Sequence, residues 1–195
     1  MKHIACTAIL LLTGFLTGCI SWASYPAAPG EIAIKDPNQP IIEELMMTGM
    51  RWVVQKYPPV DASGTHVGGG RIAFNLPFGV RPNVYRRVCE AAGGGAEPLT
   101  PDNASLPIYH VRELRIRGDQ AQMNVVFPAS TLGASPKGGP VYQEVKIGFQ
   151  GGLRNWRVSS FREWGPGAEP PEPNFYVPEP GFNPNAERRT LPPGP

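Results

Sequence analysis

Residues 108–128 read IYHVRELRIRGDQAQMNVVFP. Gly118-Asp119 stands between two stretches in which apolar and polar side chains alternate, the pattern of a hairpin closed by a two-residue turn. Such a turn sets Leu114 opposite Met123 and Ile116 opposite Ala121 on one face. On the other face it sets Arg115 opposite Gln122 and Glu113 opposite Asn124. Like meets like on both faces, as a half-buried antiparallel pair requires. The turn also accounts for Arg117-Gly118-Asp119, which spells an adhesion tripeptide but is what a tight turn asks for.

The alternation continues downstream. Residues 141–150 and 153–164 flank Gly151-Gly152, and the same turn rule sets Ile147 against Trp156 and Val145 against Val158. Upstream, Ile72, Phe74 and Leu76 alternate with Ala73 and Asn75, a short strand. Two segments change period. Ile41 to Tyr57 places Ile42, Leu45, Met46, Gly49, Trp52 and Val53 on one helical stripe, with Asn38 as the expected cap and Pro58-Pro59 as the stop. Asn83 to Ala92 turns Val84, Tyr85, Val88, Cys89 and Ala92 inward and ends at a run of glycines beginning at Gly93.

The order is helix, strand, helix, then four strands. It predicts an α+β fold, with two helices packed on one face of a curved antiparallel sheet of about five strands. This order over residues 41–164 is similar to the cone of the nuclear-transport-factor-like superfamily. That resemblance implies a pocket between the helices and a bent sheet. It lies in element order alone, so it carries no function.

Composition changes outside that segment. The chain holds 23 Gly and 24 Pro in 195 residues, well above average usage. Residues 19–40 carry Pro26, Pro29, Pro37 and Pro40 and read as a tether. Residues 165–195 read as a Pro-rich disordered tail, detached from the single domain of residues 41–164.

The amino terminus reads MKHIACTAILLLTGFLTGC. Lys2 precedes an apolar run from Ile4 to Leu16, too short to span a bilayer, which takes about 20 helical residues, but suited to the core of a secretory signal peptide. Leu16-Thr17-Gly18-Cys19 resembles the lipobox of bacterial lipoproteins. The resemblance implies that residues 1–18 are removed, that Cys19 is acylated, and that the chain is held to a bilayer in the cell envelope. Ile20 after the cysteine, in place of an aspartate, points to the periplasmic side of the outer membrane.

Loss of Lys2 leaves 17 basic and 16 acidic side chains, a balance that excludes a general nucleic-acid binder. With Cys6 removed and Cys19 acylated, Cys89 stands alone on an apolar stripe and reads as a buried thiol. His66-Val67-Gly68-Gly69-Gly70 lacks the lysine and the following helix of a phosphate loop. No spacing suggests a metal site or a nucleophile triad, and no cofactor is expected.

One polar constellation follows from the hairpin registers. They turn His110, Arg112, Gln143, Ser160 and Arg162 inward at one end of the sheet, where two guanidiniums could hold a carboxylate or phosphate. The leading expectation is therefore a non-catalytic envelope lipoprotein whose domain binds an anionic small ligand or an envelope protein. A second expectation makes the tail the docking element, through Phe175, Tyr176 and Phe182. A third gives the pocket a hydrolase or isomerase role with His110 as acid or base.

Overall fold

The computed structural model describes residues 21–93, 95–135, 139–152 and 155–178. Cys19 and Phe182 lie outside the described residues, as does the signal segment.

The described chain is α+β, with two helices and a mixed, open sheet of eight strands. The strands are β1 (Ala23–Tyr25), β2 (Ile32–Ala33), β3 (Ile72–Asn75), β4 (Ala96–Pro98), β5 (Ile108–Arg117), β6 (Gln120–Pro128), β7 (Tyr142–Gln150) and β8 (Arg157–Glu163). The helices are α1 (Pro40–Lys56) and α2 (Pro82–Ala92). Strands β5 to β8 form an antiparallel meander. The free edge of β5 is shared: β3 pairs with its first part in parallel, and β1 pairs with its last part antiparallel. Strand β4 adds to β3, and β2 to β1, both in parallel.

The sheet is thus larger than five strands and not purely antiparallel. The additional strands β1, β2 and β4 have two or three residues each, too few to show a period of two. Strand β1 takes up backbone groups that β5, outrunning β3, leaves without partners, and β2 and β4 in turn pair with the outer edges of β1 and β3. Two of them fall in the expected tether, so residues 19–40 are not a free linker. Ser24 is fully buried and Glu31 is ion-paired to Arg115.

Alternate side chains of the meander meet both helices in one core. Leu114, Met123, Val125, Val145 and Ile147 pack with Ile42, Leu45, Met46, Met50, Val53, Val88 and Cys89. Gly49 lets α1 approach closely: a Cβ there would lie 2.1 Å from Met123 Cε and 3.0 Å from Phe149 Cζ. Arg87 of α2 reaches Glu43 of α1 through both carboxylate oxygens, one contact at 2.7 Å. The expected cap of α1 is displaced. Gln39 takes the N-cap position, and Asn38 instead accepts from the Arg81 N–H and donates to the Gly79 carbonyl.

The β5–β6 hairpin has the register that its turn dictates, with Leu114 on Met123, Ile116 on Ala121, Arg115 on Gln122 and Glu113 on Asn124. The β7–β8 connection does not. It runs over residues 151–156, and the pairs are Phe149 with Val158 and Ile147 with Phe161. The cause is Trp156, which is buried and folded onto Gly151, where a Cβ would lie 2.5 Å from the indole. The Trp156 N–H also donates to Glu44 of α1 at 2.9 Å. Burial of one large aromatic against the helix outweighs the preference for a short turn.

Candidate functional site

The sheet has two faces, one covered by the helices and an open face that the carboxy-terminal segment covers in part, and the expected cluster divides between them. The decisive residue is Arg112. A β-bulge interrupts β5 between Val111 and Glu113, and an extra residue reverses alternation for everything beyond it. Tyr109 and Val111 therefore join the helix-side core, and His110, paired with Val126, turns to the open face. The anion pocket expected from an uninterrupted strand is corrected here: the five residues do not converge. Gln143 stays on the helix side and donates to the Trp164 carbonyl at 2.8 Å. Ser160 lies over Gly148 on the open face, occupying the space a Cβ would need. Arg162 is exposed, with its guanidinium 5.5 Å from the Trp164 ring centroid.

Arg112 is already paired. It donates to Glu144 Oε2 at 2.6 Å and to the Glu169 carbonyl. A guanidinium so engaged is a structural ion pair rather than a free fork for a ligand.

What the structure assembles instead is a notch in the free edge of β5. Strand β3 ends at the Asn75–His110 pair and β1 begins its pairing at Leu114, so residues 111–113 have no strand on that side. The carboxy-terminal segment crosses the gap. Gly167 and Ala168 donate to the Tyr142 carbonyl, at 2.8 and 3.1 Å. Asn75 donates to the Glu172 carbonyl at 3.0 Å and accepts from the Asn174 N–H at 2.9 Å. Asn174 donates to the Leu76 carbonyl, and Tyr176 N–H to the Leu99 carbonyl at 2.8 Å. The Tyr176 ring meets Tyr85 of α2 edge-on at 5.5 Å.

The expectation of a detached tail is therefore corrected for residues 167–176. Proline removes donors, but the residues between prolines keep theirs, and these bond to the strand ends. Tyr176 packs on the core, whereas Phe175 remains 41% exposed.

Between the segment and the sheet edge is a cleft of about 290 Å³, lined by Asn75, Phe78, Val111, Arg112, Glu172 and Asn174 among others. Phe78 borders it and is 80% exposed.

His110 lies beneath this region, 2% exposed. Because Asn75 Oδ1 accepts from Asn174, the Asn75 amide nitrogen faces His110 Nδ1, at 2.9 Å. Nδ1 then accepts, and the ring proton sits on Nε2, which has no hydrogen-bond partner among the described residues. Burial first, and the Arg112 charge second, push the imidazole down to about 4. Tyr142 packs edge-on at 5.4 Å. The ring is thus neutral and enclosed, with one nitrogen engaged by Asn75.

Sequence reasoning missed Asn75, Phe78 and Glu144. Asn75 was readable only as the polar member of a strand alternation, and its burial depends on a segment 97 residues away. Cys89 is buried, and burial pushes its thiol up to about 12. Among the described residues no group of His, Cys, Asp and Glu side chains could hold a metal ion, and no helix is long and apolar enough to cross a membrane. No family model, curated protein or solved structure matches the chain.

Proposed function

We propose that this chain is an exported bacterial lipoprotein, cut before Cys19, acylated there, and held at the periplasmic side of the outer membrane. Its domain acts without catalysis, by docking an envelope protein. The observation that carries the reading is Leu16-Thr17-Gly18-Cys19 at the end of the apolar run Ile4–Leu16, since short apolar runs of this kind direct export rather than span a bilayer.

Docking of a protein is favoured over a small anionic ligand for two reasons. The inward polar end that would have received an anion is divided between two faces, and Arg112 has its own carboxylate. The cleft beside Phe78, by contrast, is open, apolar at its rim, and bordered by prolines of the crossing segment, a surface suited to an extended peptide. The second reading, in which the tail itself is presented, keeps Phe175 and the residues beyond 178 as its contact elements.

The test is Cys19→Ser. Acyl labelling and recovery in the membrane fraction are both lost if Cys19 is the anchor. An unchanged mass with unchanged membrane recovery would sink the reading. A photocrosslinking residue at Phe78, with one at Arg157 as control, then reports whether the cleft meets a protein in the envelope.

A further inference from the structure

A second groove, of about 420 Å³, opens between β1, β2 and the start of α1. It arises because β2 ends at Ala33 and α1 begins at Pro40, so the linking residues bridge the gap without filling it. Ala23, Ile34, Ile41, Ile42 and Ile116 line it, with Lys35 the one charged side chain of the lining. Ile42 is fully buried, while Ile34, Ile41 and Ile116 are only partly covered. A connected apolar wall is thus left beside the core. Its volume falls in the range of small-ligand sites, about 300–1,000 Å³.

The position of this groove identifies its occupant. Ala23, on its wall, is the first residue of β1 and stands four residues after Cys19. An extended chain of four residues spans at most roughly 14 Å, so whatever Cys19 carries begins within that distance of Ala23. We infer that the groove receives an acyl chain attached to Cys19, an inference that rests on the reading of Cys19 as the acylated residue. Lys35 is exposed and offers a donor to the carbonyl oxygens at the root of the chain.

Tethering makes modest affinity sufficient. A short linker raises the effective concentration of the attached group to the millimolar range, so a groove that binds free fatty acid weakly is filled from within. In a bilayer the chain exchanges one apolar surrounding for another, and the groove competes little. In water, between membranes, docking removes methylenes from solvent. The groove therefore shelters one chain of the acylated protein during aqueous passage.

The experiment uses the chain beginning at Cys19, produced unacylated and alkylated on that thiol with hexadecyl maleimide. Ethyl maleimide supplies the control. Cys89 does not compete, because it is buried. Amide hydrogen exchange is compared without detergent. The hexadecyl chain should slow exchange at residues 33–34 and 41–42 on the order of tenfold relative to the ethyl control, the protection expected of a mostly filled site. Ala33→Trp, at an exposed position on the groove wall, should abolish that protection. If it also loosens the core amides around Met123, Ile34→Gln makes the same comparison.

Equal exchange with both alkyl groups overturns the inference. So does protection by free palmitate without protection by the tethered chain, which would assign the groove to a diffusing lipid. Because the alkyl chain is added chemically, either failure is distinct from a failure of acyl labelling at Cys19 in cells.

Discussion

The Asn75 side chain lies 2.9 Å from Nδ1 of His110, and the same amide group holds the backbone of Glu172 and Asn174. One buried side chain thus joins β3, β5 and the carboxy-terminal segment. Asn75→Ala leaves the Glu172 carbonyl, the Asn174 N–H and His110 Nδ1 without partners. A loss of about 2–3 kcal/mol is expected, within the range for unsatisfied buried groups. Ending the chain at Gly165 removes the same bonds and the Tyr176 packing, and should lower the thermal midpoint by several degrees. An unchanged midpoint in calorimetry would mean that the segment lies on the domain without stabilising it.

Stability should fall with acid in the window set by His110. Its folded value of about 4 lies below the ordinary 6.5, so between these two values the unfolded chain binds the proton and the folded chain does not. Stability is full above pH 6.5 and declines as pH falls toward 4, by up to roughly 3 kcal/mol. Urea unfolding at pH 7 and pH 4.5 measures the difference. His110→Gln should flatten this part of the profile, and a slope that persists in the variant would place its origin in other groups.

Arg112 and Glu144 should behave as a structural pair. Arg112 is 36% exposed and Glu144 16%, so solvent screens the interaction and about 1 kcal/mol is expected for Arg112→Ala. A double-mutant cycle with Glu144→Ala should return a coupling of similar size. Arg115→Ala removes a different pair, with Glu31 beside β2. It should loosen β1 and β2, which hydrogen exchange at Ala33 and Ile34 would report.

Gly49 tests the helix–sheet contact. A side chain at this position meets Met123 and Phe149 in a filled core. Gly49→Val should therefore destabilise the domain by about 2–3 kcal/mol, as overpacking does, although glycine is itself a poor helix residue. A variant as stable as the parent would show that Met123 repacks without cost.

Much of this architecture was written in local pattern. The period of Ile42, Leu45, Met46 and Val53 specifies α1, and Gly118-Asp119 specifies both the β5–β6 turn and its register near the turn. The elements that escaped notice are short. Ala23–Tyr25, Ile32–Ala33 and Ala96–Pro98 have no period to read, and exist because neighbouring strands leave backbone groups unpaired. The candidate site escaped for a related reason. Its expected composition depended on alternation running unbroken from Leu114 back to His110, and a single extra residue at Arg112 reversed it.

Local chemistry in the sequence was enough for the helices, the leading hairpin and the burial of Cys89, because each depends on residues within a few positions of one another. Tertiary structure alone decided which face His110 occupies, that Arg112 belongs to Glu144, that Trp156 widens the last turn, and that residues 167–176 lie on the domain. Each of these depends on partners far apart in the chain, such as Asn75 with Asn174 or Glu44 with Trp156. Burial and hydrogen-bond satisfaction between such distant groups are settled only when the whole chain has closed around them.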